Sequence, residues 1–307
     1  MYGGEQPFMP NHPLAEVFGY PTDNFSAAAD RCRQGRLCPF KEKKKDGNLQ
    51  PCNKDKKDDP LGVCSVYNAG GERVITCPVR FQQEWLIARD SAGFFFPSGV
   101  DAERVTEVRL TDQDGKSVGS IDVVLLSPDS QGRAADYGSL EVQAVYISGN
   151  IRQAFAHYME DPAGRHDMDW RGQPNYPRPD FLSSSRKRLA PQLLSKGGIL
   201  NGWGRKMAVA LDLRFYNTLP TLEEVGKAEA DIAWFVYDLV PDPAQNRNRL
   251  TLHRTVYTKF EAALLAITHF GAGDEELFIQ RLNTKAQKAR KAKNDDALSE
   301  KTLNPNL

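Results

Sequence analysis

Three stretches near the middle of the chain carry the β-branched, apolar and alternating pattern of strands: Val105 to Leu110, Ser117 to Leu126, and Tyr137 to Ile147. Turn-forming clusters separate them, Asp112-Gln113-Asp114-Gly115 and then Ser127-Pro128-Asp129-Ser130-Gln131-Gly132-Arg133, so the three are predicted to fold as a meander. Directly afterwards Ile151, Phe155, Tyr158 and Met159 recur at helical spacing, which predicts a helix over residues 150–160. A second helix is predicted from Leu189, Leu193, Leu194, Ile199 and Trp203, with a cap among Ser183 to Ser185 and a stop at Gly197-Gly198. Pro191 should bend it or mark its effective start. Residues 205–219 read as another helix, 230–239 as a buried strand, and 259–270 as a helix with Phe260, Leu264 and Ile267 facing inward. Residues 161–179, rich in Gly, Pro, Arg and aromatic side chains, show no periodicity and read as a loop or long surface connection. The tail reads as a polar helix that frays at Asn304-Pro305-Asn306-Leu307. The pattern as a whole predicts an α/β fold with a mixed sheet flanked by helices.

Within that pattern the acids stand out. Folding the second and third strands about their turn brings Asp122 opposite Glu141 to within a residue, and the first strand brings Glu107 near Ile121 and Asp122. Carboxylates on neighbouring buried strands repel one another unless a cation, a basic group or a shared proton compensates. A hard divalent cation such as Mg²⁺ answers that need, and side-chain alternation places Glu141 and Gln143 on one face, with the carbonyl of Val142 as a further oxygen ligand. An Asp, a connection and then Glu-x-Lys is the PD-(D/E)XK nuclease pattern. Here Ile121 stands in place of the proline and Gln143 in place of the lysine. A lysine stabilises an attacking hydroxide or a pentacovalent phosphate by charge, whereas an amide orients water and donates neutral hydrogen bonds. The bland alternative is a set of edge-strand polar residues.

Four of the five cysteines, Cys38, Cys52, Cys64 and Cys77, each sit in a short turn-prone phrase within a segment that reads as too polar to fold around a core. Four thiolates so placed suit a tetrahedral site for zinc or a single iron. The alternative is disulfides or core cysteines. The opening residues lack a secretory leader pattern and no apolar run is long enough to span a bilayer, so a reducing cytoplasm is expected, which favours metal over disulfides. Four thiolates on one metal contribute on the order of 10 kcal/mol, enough to order the Lys- and Asp-rich loop from Lys41 to Asp59. Cys32 is left over, as a spare thiol or a competitor for the place of Cys38.

Taken together, these phrases resemble the NotI-type restriction endonucleases, which include the EagI-like enzymes. The resemblance begins at Val17-Phe18-Gly19-Tyr20 and runs through the cysteine phrases, including Gly62-Val63-Cys64 and Cys77-Pro78-Val79-Arg80. It continues through Ser120-Ile121-Asp122, Leu140-Glu141-Val142-Gln143, Ile147-Ser148-Gly149-Asn150-Ile151-Arg152 and the run from Lys187 to Gly197. It implies that the glutamine form of the nuclease motif is the usual one, and that a metal-bound cysteine fold, with iron the favoured metal, accompanies the catalytic part.

The 307 residues allow about two domains. The expected organisation is an N-terminal four-cysteine metal-binding region over 1–90, a PD-(D/E)XK-like nuclease core over 91–280 and a basic tail over 281–307. With 40 basic and 40 acidic residues no global charge argument for DNA exists. Locally, Arg186, Lys187, Arg188, Lys196, Arg205 and Lys206 follow one another from Phe181 to Leu211 without an acid, interleaved with apolar positions, and are expected along DNA phosphates. The six basic residues from Arg281 to Lys293 read as a solvated face. The five histidines share no metal-ligand spacing. The expected activity is Mg²⁺-dependent hydrolysis of double-stranded DNA at a specific, palindromic site by a homodimer, with Asp122, Glu141, Gln143 and the outer acid Glu107 as catalytic residues and a DNA methyltransferase as companion. The alternatives are a structure-specific or repair nuclease with the same core, and a non-catalytic DNA-binding module built on the four cysteines.

Overall fold

A computed structural model describes residues 10–269 and 271–303. The chain divides after Thr268 into two compact units. The first is built on a six-stranded mixed sheet of β1 (Glu103–Thr111), β2 (Ser117–Pro128), β3 (Ala134–Gln143), β4 (Met207–Asp212), β5 (Ile232–Asp242) and β6 (Arg247–Thr258). Strand order follows chain order. β1, β2 and β3 form the predicted antiparallel meander, β4 lies parallel to β3 and to β5, and β6 returns antiparallel to β5.

Both faces of the sheet are buried at its centre. Ala208 and Ala210 of β4, with Phe235 and Tyr237 of β5 and Leu140 of β3, pack on Ile87 and Phe94 of helix α2 (Leu86–Phe95). The opposite face, through Val209, Leu211, Trp234 and Val236, packs on Leu189, Leu193, Phe260 and Ile267. This double burial corrects the reading of residues 205–219 as a helix, since β4 is a strand with every residue buried, followed only by a helical turn over Leu213–Tyr216. A central parallel strand covered on both sides carries a continuous apolar run, which periodicity does not distinguish from a buried helix.

Between β3 and β4 the chain crosses over through the predicted helix α3 (Ile151–Glu160), capped by the Asn150 side chain, and an interrupted helix over 181–202. The cap of the interrupted helix is Asp180, whose carboxylate accepts the N–H of Ser183 at 2.9 Å, rather than a serine. Pro191 does not break it. Wide π turns over Ser185–Leu189 and Leu193–Gly197 flank the proline and absorb its missing donor. Gly197 and Gly198 keep helical geometry, and the helix ends at Trp203 and Gly204, the latter at a φ of 66°. Gly197 is a packing residue, because a Cβ there would stand 2.7 Å from Cε2 of Phe260 in α4 (Phe260–Thr268).

The N-terminal segment has more core than its polarity suggests. Leu14, Val17, Phe18, Val63 and Val66 come from a small four-stranded sheet and its turns, and pack with Phe155 and Tyr158 of α3 and with Met168 and Trp170. The 161–179 connection is thereby partly tied down rather than a wholly exposed loop. A fully buried pair, Arg80 and Glu16, joins this region to β6: Arg80 donates to both carboxylate oxygens of Glu16 at 3.0 and 3.1 Å and to the carbonyl of Asn248 at 2.9 Å. Asn248 returns a bond from Nδ2 to Glu16 at 3.1 Å. Desolvation of two ions is offset only by such complete pairing, and loss of one partner typically costs about 3–5 kcal/mol.

In the second unit a helix, α5, spans Glu275–Leu303, with Leu277, Phe278, Ile279 and Leu282 exposed. The fraying predicted for 304–307 lies outside the described residues. No helix among the described residues is long and apolar enough to cross a membrane.

Candidate active site

β2 and β3 run paired from Pro128 and Ala134 as far as Val123 and Leu140, and there they part. The next residue of β2 is Asp122. Its Oδ2 accepts the N–H of Val142 at 2.8 Å, taking the place of a ladder carbonyl, and this brings the Asp122 carboxylate beside Glu141. From that point β3 is held by β4, with Glu141 opposite Val209 and Gln143 opposite Leu211. On the other side of Asp122, β1 pairs at Thr106 and Val108 but not at Glu107, which lies opposite Asp122 with a φ of 56°. A left-handed glutamate inside a strand is strained. Glu107, Asp122 and Val142 open onto a cleft of about 430 Å³.

The two acids differ in environment. Glu141 is 1% exposed, and burial, reinforced by the charge of Asp122 and opposed by Lys196, pushes its carboxyl up to about 8. Lys196 Nζ donates to Glu141 Oε2 at 2.7 Å and to the Ser120 carbonyl at 2.6 Å, leaving Glu141 Oε1 without a partner among the described residues. Gln143 is equally buried. Its Nε2 donates to the Ala144 carbonyl at 3.0 Å and its Oε1 has no partner among the described residues.

The cysteine segment forms the other wall of the cleft through Lys41, Glu42, Gln50, Pro78 and Val79. Arg104 of β1 stacks on Trp85 at 3.7 Å and pairs with Glu42 across that wall. Cys38, Cys52, Cys64 and Cys77 converge on a cavity of about 20 Å³, while Cys32 packs separately in α1 (Ala27–Gln34). Burial raises the thiol of Cys38 to about 11 and pushes those of Cys52 and Cys64 up as well. Among the described residues no three His, Cys, Asp or Glu side chains stand close enough to hold a metal ion. The donor chemistry of the four cysteines suits a soft metal.

The basic residues divide. Arg186, Lys187 and Arg188 lie on the interrupted helix, and Arg188 donates to the Tyr146 hydroxyl at 2.7 Å. Arg205 pairs with Asp136 at 2.5 Å, and Lys206 lies over the Phe94 ring. Lys196 departs from the expectation of a phosphate contact, being 6% exposed and committed to Glu141. Its signal was present in the sequence, because Leu189, Leu193, Lys196 and Leu200 form one inward stripe with a lysine at a core position.

No curated protein matches the chain. The model of the family described as restriction endonuclease NotI matches residues 16–250, well over half of the chain and including the cysteine phrases, Asp122, Glu141 and Lys196, so the chain belongs to this family of DNA-cleaving enzymes.

Proposed function

We propose that the protein is a type II restriction endonuclease with a PD-(D/E)XK core, hydrolysing phosphodiester bonds at a specific palindromic site in double-stranded DNA. The observation that carries this reading is the parting of β2 from β3 at Asp122, which sets Asp122 on the wall of a cleft beside the buried Glu141 of the neighbouring strand. Mg²⁺ fits there. The residues to hold it are Asp122, Glu141 through its unpartnered Oε1 and the Val142 carbonyl, with Glu107 as an outer acid. When bound, the cation supplies a lowered pKa for water and neutralisation of the scissile phosphate. The chain's own groups do the rest. Asp122 is fixed by the Val142 N–H, Glu141 by Lys196, and the free Gln143 Oε1 accepts a hydrogen bond from a water and so orients it. Arg186, Lys187 and Arg188, with Arg205 and Lys206, position the DNA by phosphate contacts. A palindromic site calls for a two-fold homodimer that presents one such site to each strand. The cysteine-bearing region, closed by iron or zinc on Cys38, Cys52, Cys64 and Cys77, braces the facing wall of the cleft.

The test is digestion of a plasmid library with Mg²⁺, followed by sequencing of the ends. One recurrent palindromic site is expected, with Asp122→Ala and Glu141→Ala each losing at least about 10³-fold in rate yet retaining site-specific binding in Ca²⁺. Cleavage at random or only at structural lesions would favour a repair nuclease. Near wild-type cutting by either variant would remove the acids from the mechanism.

A further inference from the structure

The Glu-x-Gln spacing leaves the two acids without the neighbouring cation that the commoner motif supplies on the same strand. The fold provides one from elsewhere. Lys196 reaches Glu141 from the interrupted helix, 55 residues further along the chain, and both acceptors of its ammonium border the site: Glu141 Oε2 at 2.7 Å and the Ser120 carbonyl, two residues before Asp122, at 2.6 Å. Two local features deliver it. The π turn over Leu193–Gly197 sets Lys196 on the inward stripe between Leu193 and Leu200, and Gly119, at a φ of 112°, turns β2 just ahead of the accepting Ser120 carbonyl. π turns and left-handed strand residues concentrate at functional sites because they re-aim side chains at a cost in regularity.

We infer that Lys196 is a positioning residue for the reaction, clamping Glu141 by Oε2 so that Oε1 faces the metal site, and supplying from the helix the positive charge that Gln143 cannot. The inference rests on the reading of Asp122 and Glu141 as the metal-holding pair. It differs from a plain counter-ion role in what it predicts. A counter-ion stabilises the fold, whereas a clamp also sets how tightly the site takes a divalent cation and how well the bound state cuts.

Lys196→Met and Lys196→Gln are the neutral variants, and Lys196→Arg keeps the charge. Ca²⁺ is titrated into full-length protein without DNA and followed by thermal shift, and single-turnover cleavage is measured across a Mg²⁺ series. The expected result is a Ca²⁺ midpoint raised at least tenfold in the neutral variants and a cleavage rate at saturating Mg²⁺ reduced at least a hundredfold. Lys196→Arg should return both to within tenfold of wild type. Wild-type midpoints and rates in either folded neutral variant overturn the inference. So does failure of both neutral variants to fold, which assigns Lys196 to structure alone. If Glu141→Ala itself cuts normally, the underlying reading of the metal site has failed instead.

Discussion

His12 illustrates how far a single buried group departs from its behaviour in water. Its Nδ1 accepts the Leu14 N–H at 3.1 Å, its Nε2 has no partner within hydrogen-bond geometry among the described residues, and burial lowers its pKa from 6.5 to about 4. The folded imidazole is therefore neutral where the unfolded one takes a proton. The stabilising contribution is complete above pH 6.5 and is lost as the pH falls toward 4, by up to about 3 kcal/mol. Buried acids act in the opposite direction. Glu141 and Asp212, held up at about 8 and about 7, cost stability as the pH rises through those values. Comparing wild type with His12→Asn isolates the histidine. Urea unfolding at pH 7 and pH 5 should show a smaller loss of stability in the variant, and equal losses would mean that His12 is protonated in the fold.

At the level of a whole element, the interrupted helix is set against α4 by one glycine and left free at the next. Gly197 lies with its missing Cβ 2.7 Å from the Phe260 ring, whereas among the described residues nothing beyond its own helix turn stands within 4 Å of the corresponding point at Gly198. Both have helical φ near −60°. Gly197→Ala should therefore push the helix off α4, destabilise by about 1–3 kcal/mol, and slow cleavage by moving Lys196. Gly198→Ala should stabilise by up to about 1 kcal/mol, since alanine restricts the unfolded chain and meets no obstacle. Thermal unfolding of the two variants gives the comparison, and equal effects would remove the packing explanation.

Across the first unit, the cysteine region and the sheet share the cleft and are tied together by the Arg80, Glu16 and Asn248 network. Closing the four thiols around iron or zinc should therefore stiffen one wall of the cleft. Purified protein is expected to carry one tightly held metal per chain, with thiolate-to-iron absorption if the metal is iron. Cys52→Ser should lose the metal and lower the unfolding temperature, while Cys32→Ser, which does not line the cavity shared by the other four, should keep the metal. Full metal occupancy in Cys52→Ser would rule out the four-cysteine assignment.

The meander of β1, β2 and β3, the helix α3 and the strand β5 were legible in the sequence, because each depends on local patterning and turn residues. So was the neighbourhood of Glu107, Asp122 and Glu141, since strand register about a known turn is nearly arithmetic. The identity of β4 was not, because burial on both faces erases its period. Nor was the course of the helix through Pro191 and Gly197, where π turns and the Phe260 contact override the usual stop signals. Above all, the role of Lys196 belongs to the tertiary structure. Its local sequence places a lysine on an apolar stripe without naming its partner, and only the packing of that helix over β3 and β2 brings Glu141 to it. Local propensity and register follow from near neighbours along the chain. The pairing of a charge with its counter-charge follows from which distant surfaces are pressed together.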